Sequence, residues 1–303
     1  MKYFFSLLAV MLFSMNANAV TIKMLSKTDT GYEEPIYIIN EENEKIKSAE
    51  KLITLAHHNL FPFSSSRQGT VFSELIERIV EKTRVYIKLE YDTNNFNNKV
   101  KVFERGSDYI NALFGVPKEY YPYSKNEYIY PAFFENKLHV ITIRGGGVVI
   151  NTKDDLLKYK GVYVKKDNLS KFIINDFSSY KIQSAEDYST AFEQLFTKKI
   201  DFIVAGYYPS QIEAYKIGIR DYIAYSKDAI WKNPLFLRID YRLLNSASVN
   251  NLKKYMKTEE FKNIRNKVLE DVLEIYKKNT QGVVPPMYIG DRDDTTQTVD
   301  DAK

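Results

Sequence analysis

The segment from Ser184 to Gly206, SAEDYSTAFEQLFTKKIDFIVAG, constrains this chain more than any other. A polar start leads into a helical stretch that ends in Lys198-Lys199, and an apolar run from Ile200 to Ala205 closes on Gly206. Upstream, DDLLKYKGVYV runs from Asp154 to Val164 and enters a short strand through Gly161. Strand, helix and buried strand in that order are the unit of an α/β fold.

The first residues read as a secretory signal. Lys2 is the positive start, Phe4 to Phe13 is an apolar run, and Ala17-Asn18-Ala19 is a small-x-small cleavage site. The run is short for a membrane span. The mature chain is expected to begin at Val20, and its length is enough for one large domain or two medium lobes. The chain has no cysteine, so its lobes rest on core burial without disulfides, and no lipid-anchored precursor is possible. A soluble protein released into the periplasm is the expected product, with no membrane anchor. A formal charge of +4 is mild and gives no reason to propose nucleic acid as a partner.

Along the chain, Thr21 to Leu25 and Pro35 to Ile39 are possible strands, and Lys51 to Ala56 is the first clear one. Which of them opens the main sheet stays undecided from the sequence. A helix is expected from Thr70, with Val71, Leu75, Ile76, Ile79 and Val80 on one face. Val85 to Tyr91 alternates as a strand, and Tyr109 to Val116 reads as a buried strand that empties into a loop. Leu138 to Ile143 is a further strand, with Arg144-Gly145-Gly146-Gly147 as the expected crossover between lobes. Leu235 to Tyr241 is a return strand, and Asn250 to Lys278 carries an apolar stripe over two helices. The tail from Pro285 is polar and acidic and is expected to be disordered.

These texts resemble those of periplasmic solute-binding proteins of the two-lobed (type 2) amino-acid-binding family, the family 3 kind that serves ABC transporters. Where that family carries a "DLKGKKVGV" strand and later "aL..GkvDavv", this chain has DDLLKYKGVYV and EQLFTKKIDFIVAG. Phe61-Pro62-Phe63 and the GTVFSEL that begins at Gly69 loosely match the family's opening words, without its Asp-rich helix start. The resemblance implies an α/β fold of two lobes, each a mixed sheet flanked by helices, joined by two hinge strands. The implied organisation is a signal at 1–19, lobe 1 at 20–143, lobe 2 at 144–234, a return strand and C-terminal helices on lobe 1 at 235–284, and a tail at 285–303. It further implies a monomer that captures a small-molecule solute, an inner-membrane ABC permease as partner, and no catalysis.

In such folds ligands bind beyond the carboxyl ends of the strands, and a solute touching both lobes favours the closed form by its differential affinity. The candidate contacts in lobe 1 are therefore His58, Asn59, Phe61, Phe63, Phe114 and Lys118. Phe61 and Phe63 form either an apolar wall for the solute or core packing beside Pro62. In lobe 2 the candidates are Lys165, Asn168, Ser170, Tyr207 and Tyr208. Asn168 or Ser170 is alternatively the N-cap of a helix from Lys171 to Asp176, and the two tyrosines are alternatively ordinary loop surface.

Two departures from the family bear on the solute. The loop Pro117-Lys118-Glu119-Tyr120-Tyr121 lacks the arginine that pairs with an α-carboxylate, and Lys118 is only a point charge in its place. The stretch Val204 to Tyr208 lacks the acid that holds an α-ammonium. An ordinary α-amino acid is thereby disfavoured, leaving polar, aromatic, sugar-like, peptide or anionic solutes.

Arg144 to Gly147 lacks the Gly-Lys-Ser/Thr of a phosphate loop. His57, His58 and His139 have no zinc spacing, and no cofactor or metal is expected. Two alternatives stand beside transport: a non-transport sensor or degenerate binder, and an enzyme of the same fold using Glu74 and Lys165 as acid and base.

Overall fold

The computed structural model describes residues 20–27, 33–39, 43–56, 59–60, 62–65, 71–91, 95–115, 127–167, 169 and 171–283. The expected signal at 1–19 and the tail at 285–303 lie outside the described residues, as do His57, His58, Phe61, Lys118, Asn168 and Ser170.

The chain begins with a hairpin, β1 (Val20–Lys27) against β2 (Glu33–Ile39), which forms its own two-stranded sheet. After α1 (Glu44–Lys47) comes β3 (Glu50–Ala56), the first strand of the main sheet, so Lys51 to Ala56 and not Thr21 to Leu25 opens it. Two short strands, β4 (Asn59–Leu60) and β5 (Ser64–Ser65), pair with each other. Then come α2 (Val71–Thr83), β6 (Val85–Tyr91), α3 (Phe96–Glu104) and β7 (Ala112–Phe114). β8 (Glu127–Ile143) has 17 residues and spans about 55 Å at the usual strand rise. Lobe 2 continues with β9 (Gly161–Val164), α4 (Lys171–Ser179), β10 (Gln183–Ala185), α5 (Tyr188–Phe196), β11 (Phe202–Gly206), α6 (Tyr207–Lys216) and β12 (Ile223–Tyr225). β13 (Trp231–Ile239) returns to lobe 1, which ends in α7 (Ala247–Tyr255) and α8 (Glu259–Asn279).

The main sheet runs β10-β9-β11-β8-β13-β7-β3-β6, with β12 also on β8. β8 and β13 pair antiparallel from Trp231↔Leu138 to Ile239↔Glu127 and so belong to both halves. Their apolar side chains divide at the middle. Phe133, Phe134, Leu235 and Leu237 join the lobe 1 core, whereas Leu138, Val140 and Trp231 join a lobe 2 core. Between these groups lie Asn136 and Asn233, directly opposite each other in the register. The passage between lobes is therefore inside these two strands. Arg144 to Gly147, expected to be that crossover, is instead a turn at the far end of β8, where the Arg144 N–H donates to Tyr222 O.

Lobe 1 buries one large cluster under α2, α7 and α8 and a smaller one under α3, built on Leu55, Val100, Phe103, Ile110 and Leu113. Lobe 2 has cores on both faces: Ile141, Val162, Val164, Ile203 and Ala205 under α5 and α6, and Val140, Phe177, Phe202 and Val204 on the α4 side. Successive residues of β8, β9 and β11 thus feed opposite faces, the period of two that a fully covered sheet requires. The helices start where capping chemistry allows. Asp187, Ser246 and Thr258 accept from the N–H groups of Thr190, Val249 and Phe261, and α8 carries Glu259-Glu260 in its first turn and Lys277-Lys278 in its last. Among the described residues no helix is long and apolar enough to cross a membrane.

Candidate functional site

β3 and β7 run parallel in lobe 1, as do β9, β10 and β11 in lobe 2, and their carboxyl ends meet across the two long strands. β4 of lobe 1 approaches the turn Lys165–Asp167 that comes after β9. The floor of the resulting crevice is set by β8 and β13 at Asn136 and Asn233, which are 2 % and 1 % exposed.

Asp167 is the centre of this floor. It is buried, and one carboxylate oxygen accepts from the Tyr188 hydroxyl at the start of α5. The other accepts from the Gly206 N–H at 2.8 Å, where β11 passes into α6, and the Asn136 side chain is a third donor. All three donors are neutral. The lysines beside Asp167 turn away: Lys165 pairs with Glu186 at 2.8 Å and Lys166 with Asp187 at 3.5 Å. Burial pushes the Asp167 carboxyl up to about 6, against the pull of its hydrogen-bond donors. Burial also raises the Tyr188 hydroxyl, with the Asp167 charge adding to it.

A carboxyl whose folded value is raised binds its proton more tightly in the folded state than in the unfolded chain. The contribution of Asp167 to stability is therefore complete below about pH 4 and is lost as pH rises through about 6, with a size on the order of 3 kcal/mol. Asp176 and Asp187, both lowered by their hydrogen bonds, act in the opposite sense and lose their contribution as pH falls. The stability difference between wild type and Asp167→Asn is expected to shift against wild type between pH 4 and pH 7, as measured by denaturant unfolding at each pH. A flat difference would place Asp167 near its ordinary carboxylate value.

Gly206 is required by close approach rather than by its backbone angle. A Cβ there would lie 2.2 Å from Asn136 Oδ1 and 2.8 Å from its Cγ. Asn136 is itself held by Asp167, so it has little room to yield. Gly206→Ala is expected to cost about 1–3 kcal/mol and to lower the melting temperature by several degrees, with the solute site damaged at the same time. An unchanged melting curve would show that the Asn136 amide moves freely.

Of the residues anticipated from the sequence, the structure brings together only part. Phe63 and Phe114 are 1 % and 0 % exposed and pack on Phe134 at centroid distances of 5.2 and 6.0 Å. They are lobe 1 core, the packing alternative, and offer no ring face as a wall. Asn59 lies in β4, opposite Ser65. Lys165 is exposed and paired with Glu186. Tyr207 and Tyr208 are not loop residues but the first two of α6, whose Pro209 is tolerated in a first helical turn. The Tyr207 ring meets His139 at 5.0 Å and Tyr225 at 5.5 Å. His139 Nδ1 lies 2.9 Å from Ser226 O, and desolvation holds this imidazole below its usual value. Tyr208 turns to the other lobe, where its hydroxyl donates to Glu270 of α8 at 2.6 Å.

Asp167, Asn136, Asn233, Tyr188 and Gly206 escape a reading of the sequence for site residues. The sequence signal for Gly206 is an apolar strand closing on glycine just before a helix. Asp167 carries no signal, because Lys-Lys-Asp-Asn reads as an exposed turn. Among the described residues no group of three metal-ligating side chains is placed to hold a metal ion. A separate groove of about 410 Å³ lies at the opposite end of lobe 2, lined by residues that include Ile143, Gly146, Leu195 and Asp201.

No family model and no curated protein matches the chain. Solved structures do. The ligand-binding core of GluR0 in complex with L-glutamate is 9 % identical with a TM-score of 0.55, covering 73 % of this chain and 98 % of that one. The VFT2 domain of BvgS from Bordetella pertussis is 12 % identical with a TM-score of 0.53, covering 75 % and 94 %. A histidine kinase sensor domain with similarity to periplasmic binding proteins is 14 % identical with a TM-score of 0.51, covering 79 % and 100 %. The fold is that of the two-lobed, type 2 periplasmic binding proteins.

Proposed function

We propose that this protein captures a small polar or aromatic solute between its two lobes, in the periplasm, and hands it to an inner-membrane ABC permease. The observation that carries the reading is the convergence of strand ends from both lobes on one floor built from Asn136, Asp167 and Gly206. Parallel strands of open α/β sheets place ligands there, and helices that begin at those ends supply N–H groups and positive potential. Binding without turnover is the matching chemistry. Lys165 is an exposed, paired ammonium, so the acid–base couple with Glu74 has no support from its side.

A second reading, a ligand sensor that does not serve transport, is favoured by the seam between α6 and α8. Ile212 of α6 is buried in the lobe 1 core, and Tyr208 bonds Glu270. A seam of this kind resists the wide opening that delivery to a permease exploits.

The test is a thermal-shift screen of the protein against amino acids, peptides, sugars, polyamines and organic anions. A solute at about 100 times its dissociation constant adds about 2.7 kcal/mol and raises the melting temperature by several degrees. No shift across the whole panel, with a cooperative melting curve, would refute capture.

A further inference from the structure

We infer that the solute presents a cationic, amine-type group to the lobe 2 floor and no carboxylate there, an inference that rests on the capture reading above. Two features of the floor carry it. The first is the Asp167 carboxylate, which is buried with three neutral donors and no cation among the described residues. The neighbouring ammonium groups of Lys165 and Lys166 are committed to Glu186 and Asp187. A buried charge without a counter-charge is costly, and that cost is relieved by an opposite charge within about 4–6 Å. The second is Asn136 Oδ1, a buried acceptor with no hydrogen-bond partner among the described residues. Its amide lies beside Asp167 and against Gly206. The unmet need of the floor is therefore for donors and positive charge.

The same geometry excludes an anion. The N-terminus of α6, a helix of 10 residues, is the place where a ligand carboxylate or phosphate would find free N–H groups. Asp167 already takes the Gly206 N–H, and Pro209 in the first turn has none to give. A ligand anion would meet a carboxylate of this chain in its own seat. The absence of any three-residue metal-ligating group among the described residues directs the need to an organic cation rather than a divalent metal.

The experiment is titration calorimetry of the full chain at pH 7.5 and low salt, with putrescine and spermidine as amines, succinate and citrate as anions, and glucose as a neutral solute. An amine is expected to bind wild type, with the anions at least tenfold weaker. Asp167→Asn is expected to weaken the amine at least tenfold. Tyr188→Phe keeps the carboxylate and is expected to leave amine binding within about threefold. An anion or glucose binding as tightly as any amine would overturn the charge inference and leave capture standing, as would an Asp167→Asn variant that binds the amine unchanged. If no compound of any class binds here or in the thermal-shift panel, capture falls, and the inference falls with it. Should Asp167→Asn not fold, the order of amine over anion and glucose on wild type decides the question alone.

Discussion

Ile212→Asp is expected to destabilise the protein by about 4 kcal/mol or more, the scale of an uncompensated buried charge. Ile212 belongs to α6 of lobe 2, yet it is fully buried within the cluster formed by α2, α7, α8 and the lobe 1 strands. It is flanked by Tyr208, bonded to Glu270, and by Lys216, whose ammonium lies 5.3 Å from the centroid of the Tyr276 ring. The loss is therefore expected at the seam between lobes, and it should appear as a melting temperature lower by roughly 10 °C. Ile212→Val keeps most of the contact and is expected to cost only about 0.5–1.5 kcal/mol. Equal, small losses from both substitutions would mean that α6 does not fasten lobe 2 to lobe 1.

Phe133→Ala is expected to cost about 3–5 kcal/mol, the range for emptying a buried aromatic position. The ring is fully buried and meets Phe114, Phe134 and Phe261 at centroid distances of 5.9, 5.4 and 5.3 Å, with steep interplanar angles in each pair. Edge-to-face packing of this kind adds to simple area burial. Phe133 joins β8, just ahead of the hinge asparagines, to the first turn of α8, so the void would open beneath both. Denaturant unfolding measures the loss. A cost below 1 kcal/mol would mean that the four rings re-close around the gap.

The elements legible in the sequence are those whose pattern is local. β3, β6 and β11 show their strands in short apolar runs, and α8 shows a stripe from Phe261 through Val268 and Val272. β8 is visible only in its last third. Pro131, the Phe133-Phe134 pair and Asn136 break the alternation, because this strand changes lobes and its partners change with it. α6 is hidden by Tyr207-Tyr208-Pro209, which reads as a turn until the helix beyond it is seen. The floor of the site is the least legible part. Asp167 becomes a buried acid only through Tyr188, 21 residues on, and Gly206, 39 residues on. No local pattern records such a meeting. The acid that the family places just beyond β11 is absent from that stretch, while a carboxylate from the turn after β9 reaches the same backbone. The aromatic wall expected from Phe63 and Phe114 rests on residue type alone, and burial in the core satisfies those rings equally well.

Hydrogen exchange with and without the most stabilising compound of the solute panel tests capture between the lobes most directly. Slower exchange is expected at Ala56, Asn59 and Leu60 of lobe 1 and at Lys165 to Asp167 and Gly206 to Tyr208 of lobe 2, on both sides of the crevice at once. Protection confined to one lobe, or centred on the distant groove at Ile143, Gly146 and Asp201, would contradict it.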